Sequence, residues 1–298
     1  MKRLICSAVA VICIAGALAA WGAAAPSRST SATKFPPLPA DVKSRHRWLI
    51  GVKCDFPPFG YIDVRGQNGG YEVDIARRFA VLAFGRPNRV SLTCVTTASR
   101  IPTLTGGRVD MILSTLTWNT SRAQQIDFSS PHYSATGRLL VPNNSPINST
   151  KDLGGKTVVT TRGSVYATWV RNCFKSTNLL EVDGTAAAVL AVKNGQADAF
   201  MFDDAFVLGV ATQDRDLKLT SDRFLNIPWG IGIRKGDTAT LNWVNAAIAY
   251  MKKRNEFATI LKRNTPKKYV ASFLGNVPGP KTNFKYPVGK DPTSECPS

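Results

Sequence analysis

The 298-residue chain predicts an α/β fold built as two lobes. Short apolar runs alternate with amphipathic stretches at the spacing of a parallel sheet covered by helices. That alternation occurs twice, on either side of the turn-rich segment Pro142-Asn-Asn-Ser-Pro146. The chain is 44% hydrophobic and 19% charged, with 14 Phe and 6 Trp, which is enough apolar surface for one large or two ordinary packed cores. The same figures exclude a disordered chain, a collagen-like fibre and a small disulfide scaffold. With only His46 and His132, and neither HExxH nor CxxC, little is left for a zinc site, and no cofactor is expected.

The first element is N-terminal. Met1-Lys2-Arg3, an apolar stretch from Leu4 to about Ala20 and the small residues Gly22 to Ala25 predict a signal peptide over 1–24, cleaved after Ala24. An uncleaved anchor is the alternative, although Ala and Gly make the run only weakly apolar. The mature protein is thus expected outside the cytoplasmic membrane, periplasmic or extracytoplasmic. The Ser/Thr/Ala/Pro-rich stretch 25–44 reads as a flexible leader.

Trp48 to Lys53 opens the first lobe as a strand. The stripe Val73, Ala76, Ala80, Ala83 predicts a helix over 71–84. A strand at 90–95, a short helix at 100–106 and a strand at 111–114 complete the unit. The second lobe reads as strands at 137–141, 156–160, 179–182 and 199–202, with helices at 164–174 and 185–193. Pro142–Pro146 reads as a crossing segment between the lobes. A long helix over 241–261 returns to the first lobe, which is therefore discontinuous (45–138 and 232–275) around the second (139–231). The proline-bearing tail, 276–298, reads as extended or disordered.

Signal cleavage leaves Cys54, Cys94, Cys173 and Cys296, which in an oxidising compartment allow three pairings that sequence does not choose among. Free buried thiols are equally compatible. The net charge is +18, or +16 without Lys2 and Arg3, and twelve Lys or Arg lie between Arg234 and Lys290. No nucleic-acid motif accompanies them, so a solvated basic face is the reading and no nucleic acid is expected.

Open α/β sheets bind ligands at the carboxyl ends of their strands. The residues just past each strand include Lys53 to Tyr61, Ser99-Arg100, Ser114 to Arg122, Gly163-Ser164 and Asp203-Asp204. Three cations, several hydroxyls, helix-start amides and carboxylates suit a small zwitterion with extra negative charge. In this setting the chain resembles the family-3 extracellular solute-binding proteins, receptors of bacterial amino-acid ABC importers, and their glutamate/aspartate branch. The resemblance rests on Ile50-Gly-Val-Lys-Cys-Asp-Phe-Pro-Pro-Phe59, Gly70-Tyr-Glu-Val-Asp-Ile75, Arg100-Ile-Pro-Thr-Leu104 with Gly107-Arg-Val-Asp110, and Asp127-Phe-Ser-Ser-Pro-His-Tyr133. Asp152-Leu-Gly-Gly-Lys156, Gly195-Gln-Ala-Asp-Ala199 and Trp229-Gly-Ile-Gly-Ile233 come next, in the same order.

The resemblance implies a two-lobed periplasmic-binding-protein-like (type II) fold with two crossing hinge strands. It also implies roles. Arg122 would grip the ligand α-carboxylate, a task for a planar guanidinium. Thr115 and Thr117 share its loop, and Thr117 adds a hydroxyl and an amide. Ser164 would offer a helix-start amide, and Asp203 would take the α-ammonium. Lys53 and Arg100 would face the ligand side chain, where two buried cations call for an anion, and Phe56 would form an aromatic platform. Asp204 reads as solvated, and Thr185 departs from the pattern of the acidic branch. The expected function is a monomeric receptor for glutamate or aspartate, closing around it and docking on a membrane permease. Glutamine is the alternative. A same-scaffold dehydratase using Asp55 or Glu72, and a sensor, are the rivals.

Overall fold

The computed structural model describes residues 35–297, so the expected signal peptide and the leader up to residue 34 lie outside the described residues. The remainder of the leader, from residue 35, is not loose. Ala40–Arg45 forms helix α1, and Phe35 packs on Trp243 and Tyr250 at ring distances of 5.8 and 5.4 Å.

The first half of the chain supplies β1 (Trp48–Val52), β2 (Asp55–Phe56), β3 (Gly60–Ile62), β4 (Asn68–Gly69), α2 (Tyr71–Phe84), β5 (Val90–Cys94), α3 (Arg100–Thr105), β6 (Met111–Leu113), α4 (Thr120–Gln125) and β7 (Ile126–Phe128). The second half continues with β8 (Tyr133–Pro142), β9 (Thr157–Thr161), α5 (Val165–Cys173), β10 (Asn178–Val182), α6 (Thr185–Lys193), β11 (Ala199–Asp203), α7 (Asp204–Gln213), β12 (Leu217–Leu219) and β13 (Phe224–Trp229). The chain returns through β14 (Gly232–Arg234), α8 (Thr238–Lys253), α9 (Glu256–Asn264) and α10 (Lys267–Leu274).

Two sheets result. The first runs β5-β1-β6-β14-β7, with β1 parallel to β5 and β6 and the late strand β14 antiparallel between β6 and β7. The second runs β10-β9-β11-β8-β12, with β13 on the same flank of β8 as β12. The chain passes between sheets at residues 129–132 and again at 230–231. These passages lie side by side: Ser129 N donates to Ile231 O (2.9 Å) and His132 N to Trp229 O (3.0 Å). The crossing expected at Pro142–Pro146 is not there. Pro142 ends β8 opposite Leu217, deep in the second lobe, and the prolines and asparagines make an ordinary turn.

The helix α2 falls where its apolar stripe places it, burying Val73, Ile75, Ala76, Phe79 and Ala80. It begins at Gly70, φ +121°, where a Cβ would collide with the Phe59 carbonyl, so only glycine fits. The long helix expected over 241–261 is instead broken at Arg254-Asn255, with Asn255 left-handed (φ 55°). The break turns α9 so that Phe257, Ile260 and Leu261 are buried and Glu256 takes Arg78 in two bonds of 2.6 and 2.8 Å. Trp48, Phe79 and Trp243 form the aromatic centre of this helical layer.

The disulfides are Cys54–Cys94 and Cys173–Cys296. The first joins the loop after β1 to the end of β5; the second holds the tail. The tail is neither disordered nor simply extended: it carries turns and a short 3-10 helix over Pro292–Ser294, and it is packed, with Pro292 and Thr293 buried. Replacing Cys54 and Cys94 together by Ala reopens a loop spanning 40 positions. Chain-entropy reasoning then gives a loss of about 3–4 kcal/mol in denaturant unfolding. An unchanged midpoint would show that the bridge contributes nothing.

Candidate functional site

The site begins at the carboxyl end of β6, where the backbone turns sharply. Thr115 has φ 45°, a left-handed conformation that β-branched residues rarely adopt. Two buried charges hold it there. Both carboxylate oxygens of Glu72, at the start of α2, accept the Thr115 amide (2.8 and 2.9 Å). From the other side, Arg100 Nη1 donates to Ser114 O (2.7 Å) and Thr115 O (3.1 Å). His132 Nε2 lies 2.9 Å from Glu72 Oε1, and Tyr71 Oη donates to the His132 carbonyl (2.8 Å). The loop carrying Thr115, Thr117 and Arg122 is thereby set in place from β6, α2, α3 and the first passage between sheets.

The second sheet supplies the facing wall. After β9 the chain turns at Gly163 (φ +76°), and Ser164 Oγ caps α5 by accepting Ala167 N (3.2 Å). β11 ends at Asp203, whose Oδ1 accepts a bond from Tyr166 Oη (2.8 Å). The walls meet. Arg122 donates to Thr117 O (2.5 Å) on its own lobe and to Gly163 O (2.8 Å) on the other. Thr185 Oγ1 donates to Asp55 O (2.7 Å), and Thr161 Oγ1 to Thr97 Oγ1 (3.4 Å). Between them lies a narrow cavity with room for about one water molecule. It is lined by Arg100, Thr115, Thr117, Ser164 and Asp203, together with Thr97, Tyr166 and Phe202.

Five of the eight residues singled out in the sequence therefore converge on one cavity. Arg122 borders the adjoining groove, which it shares with Gly163 and Ser164. Lys53 and Phe56 do not line the cavity. The Lys53 ammonium is buried behind it, paired with Asp55 (2.8 Å) and bonded to Thr97 Oγ1 (3.2 Å). A desolvated ammonium takes the nearest carboxylate, and the turn after β1 puts Asp55 within reach. Phe56 is wholly enclosed by Phe59, Phe202, Phe206 and Trp229, at ring distances of 5.3 to 5.8 Å, and joins the lobes as core. Asp204 is buried and paired with Arg223 (2.6 Å), not solvated. Tyr166 and Thr97 carried no sequence signal, since hydroxyl residues near helix starts are common caps. Asp55 and Glu72, the candidate acids of the rival enzyme, are occupied in holding Lys53 and Thr115.

Burial dominates the electrostatics. It lowers Arg100 to about 10 against the opposing pull of Asp203 and Glu72, and lowers Lys53 against that of Asp55. Arg122 is pushed down by burial and by Arg100. Burial raises Asp203 to about 7, only partly offset by the Tyr166 hydrogen bond. A carboxyl with a raised folded pKa binds its proton more tightly when folded. Its contribution to stability is therefore full below about pH 4 and declines as pH rises towards 7. The wild-type melting temperature should fall over that window relative to Asp203→Asn; parallel pH curves for the two would overturn the assignment.

Known proteins share this architecture. The family model for bacterial extracellular solute-binding proteins, family 3, matches residues 49–267. The chain is 38% identical over 196 residues to a glutamine-binding protein of Geobacillus stearothermophilus, covering 65% of this chain and 75% of that one. It is 31% identical over 265 residues to the ABC transporter glutamine-binding protein GlnH of Bacillus subtilis, covering 88% and 97%. The crystal structure of the cysteine-binding protein from Campylobacter jejuni superposes with a TM-score of 0.74 at 27% identity, over 77% of this chain and 92% of that one. The fold is the two-lobed α/β fold of amino-acid-binding proteins, and the chain belongs to the bacterial extracellular solute-binding proteins, family 3.

Proposed function

We propose that this chain is the receptor of an amino-acid ABC importer and that its ligand is a neutral polar amino acid, glutamine first. The carrying observation is the charge balance around the cavity. Lys53 lies by Asp55 and Glu72, Arg100 by Asp203, Glu72 and Asp55, and Arg122 by Asp203 and Asp291. Each cation thus already has a carboxylate near it, so none is left unmatched for a ligand side-chain carboxylate, and a zwitterion without side-chain charge fits that arrangement. The acidic ligand expected from the sequence required Lys53 to lack a counter-ion, and Asp55 supplies one. The names of two relatives, both glutamine-binding proteins, support the same choice.

On binding, Arg122 exchanges its carbonyl partners for the ligand α-carboxylate, a stronger, charge-assisted pair. Asp203 takes the α-ammonium while Tyr166 fixes its orientation. Arg100 Nε, buried with no hydrogen-bond partner among the described residues, offers a donor to the side-chain amide oxygen. Admitting a molecule of this size requires the lobes to part at the paired passages. Ligand contacts to both walls then favour closure.

Calorimetric titration should give tight binding of glutamine and weaker binding of glutamate; preference for glutamate would refute the charge argument. Arg122→Ala should weaken binding by about 2–5 kcal/mol, the cost of leaving a buried charge partner unmatched. Asp55→Asn removes the counter-ion of Lys53 and should move the glutamate-to-glutamine affinity ratio towards glutamate by roughly tenfold or more. An unchanged ratio in that variant would mean that Lys53 does not influence the ligand.

A further inference from the structure

The C-terminal segment touches both lobes. Just past α10, Asn276 accepts the Ser134 amide (2.8 Å) and donates to Tyr133 Oη (3.2 Å), meeting the start of β8. Ten residues on, Tyr286 is half-buried. Its ring stacks on Trp118 (5.9 Å, 19°) and meets Phe128 edge-on (5.8 Å), while its hydroxyl donates to Ser129 O (2.7 Å). Gly230, in the second passage, lies directly under it: a Cβ there would collide with Tyr286 Oη. These partners belong to the first lobe and to the passages between lobes.

The next stretch is folded into turns, with Val288 N donating to Tyr286 O (2.8 Å) and Lys290 N to Pro287 O (3.1 Å). The chain then docks on α5 of the second lobe. Asn172 Nδ2 donates to Thr293 O and Trp169 Nε1 to Glu295 O, both at 2.9 Å, and Cys296 is bonded to Cys173. Between these anchors Asp291 and Thr293 line the groove that also holds Arg122, Gly163 and Ser164. Asp291 Oδ1 accepts both the amide (2.9 Å) and the hydroxyl (2.8 Å) of Thr293, which fixes its carboxylate on that wall.

We propose that residues 286–296 form a strap across the mouth of the cleft that restrains separation of the lobes and so sets how fast ligand leaves. One end is wedged at the passages by Tyr286, and the other is covalently fixed to α5. Parting the lobes lengthens the path between the two ends. The turns of 287–291 must then unwind, or Tyr286 must leave its slot. Each straightened residue spans at most about 3.3–3.6 Å, so the strap allows opening but limits it. The control of release rests on the proposed receptor function; the restraint on the lobes does not.

The test severs the strap without removing either anchor. A recognition sequence for a site-specific protease is inserted between the exposed residues Gly289 and Lys290, and the same protein is compared before and after cleavage. Small-angle X-ray scattering of ligand-free protein should give a larger radius of gyration after cutting. Stopped-flow dissociation of glutamine should become several-fold faster. The double variant Cys173→Ala/Cys296→Ala, which frees the far anchor, should move both readouts in the same direction. Unchanged scattering after complete cleavage overturns the strap, and a larger radius with unchanged dissociation overturns its control of release. A larger radius in a protein that binds no amino acid supports the strap and refutes the receptor function instead.

Discussion

A buried carboxylate holding one strained peptide is the constraint from which the cleft is built. Thr115 sits in left-handed backbone only because Glu72 takes its amide with both oxygens while Arg100 grips the two adjacent carbonyls. An unpaired buried charge is costly, so each group stays where the other needs it. With that peptide fixed, Thr117 and Arg122 emerge at set positions, and Arg122 reaches Gly163 on the facing lobe. Remove the clamp and the loop would relax to ordinary backbone, carrying the guanidinium with it.

In the proposed receptor, selectivity depends on how the remaining charges are shared. A cation that reads as free in the sequence is already answered by a carboxylate two residues away, through a turn that brings Asp55 back against Lys53. Such a local pairing changes the apparent charge of the cavity by a whole unit. It does so without altering a single residue on the cavity wall.

Much of this was legible in the sequence where a pattern repeated. The helix at 71–84 lies where its apolar stripe and the preceding Gly70 place it, and the helix at 185–193 lies within the bounds read from the sequence. The strand ends carrying Thr115, Thr117, Ser164 and Asp203 likewise follow from the alternation, because a parallel sheet aligns those ends. The strands β2 to β4 span only two or three residues, too short for any period to show. Helix α7 is apolar on most of its sides and gives no stripe to detect. Lys53, Phe56 and Asp204 differ from their sequence reading for a common reason. Their surroundings are set by residues that turns and distant strands bring in, and spacing along the chain carries no record of them.

The position of β14 constrains the order in which the molecule can form. The first sheet lacks an internal strand until residues 232–234 arrive, after every strand of the second sheet has emerged. The second sheet comes from one uninterrupted stretch, whereas the first must wait for a partner far along the chain, a slow, non-local step. Cys54 and Cys94, 40 positions apart, are available to each other early, while Cys173 finds Cys296 only after every strand of the described residues has emerged. The Cys173–Cys296 bond thus becomes possible only once all the strands of both large sheets are available to pair.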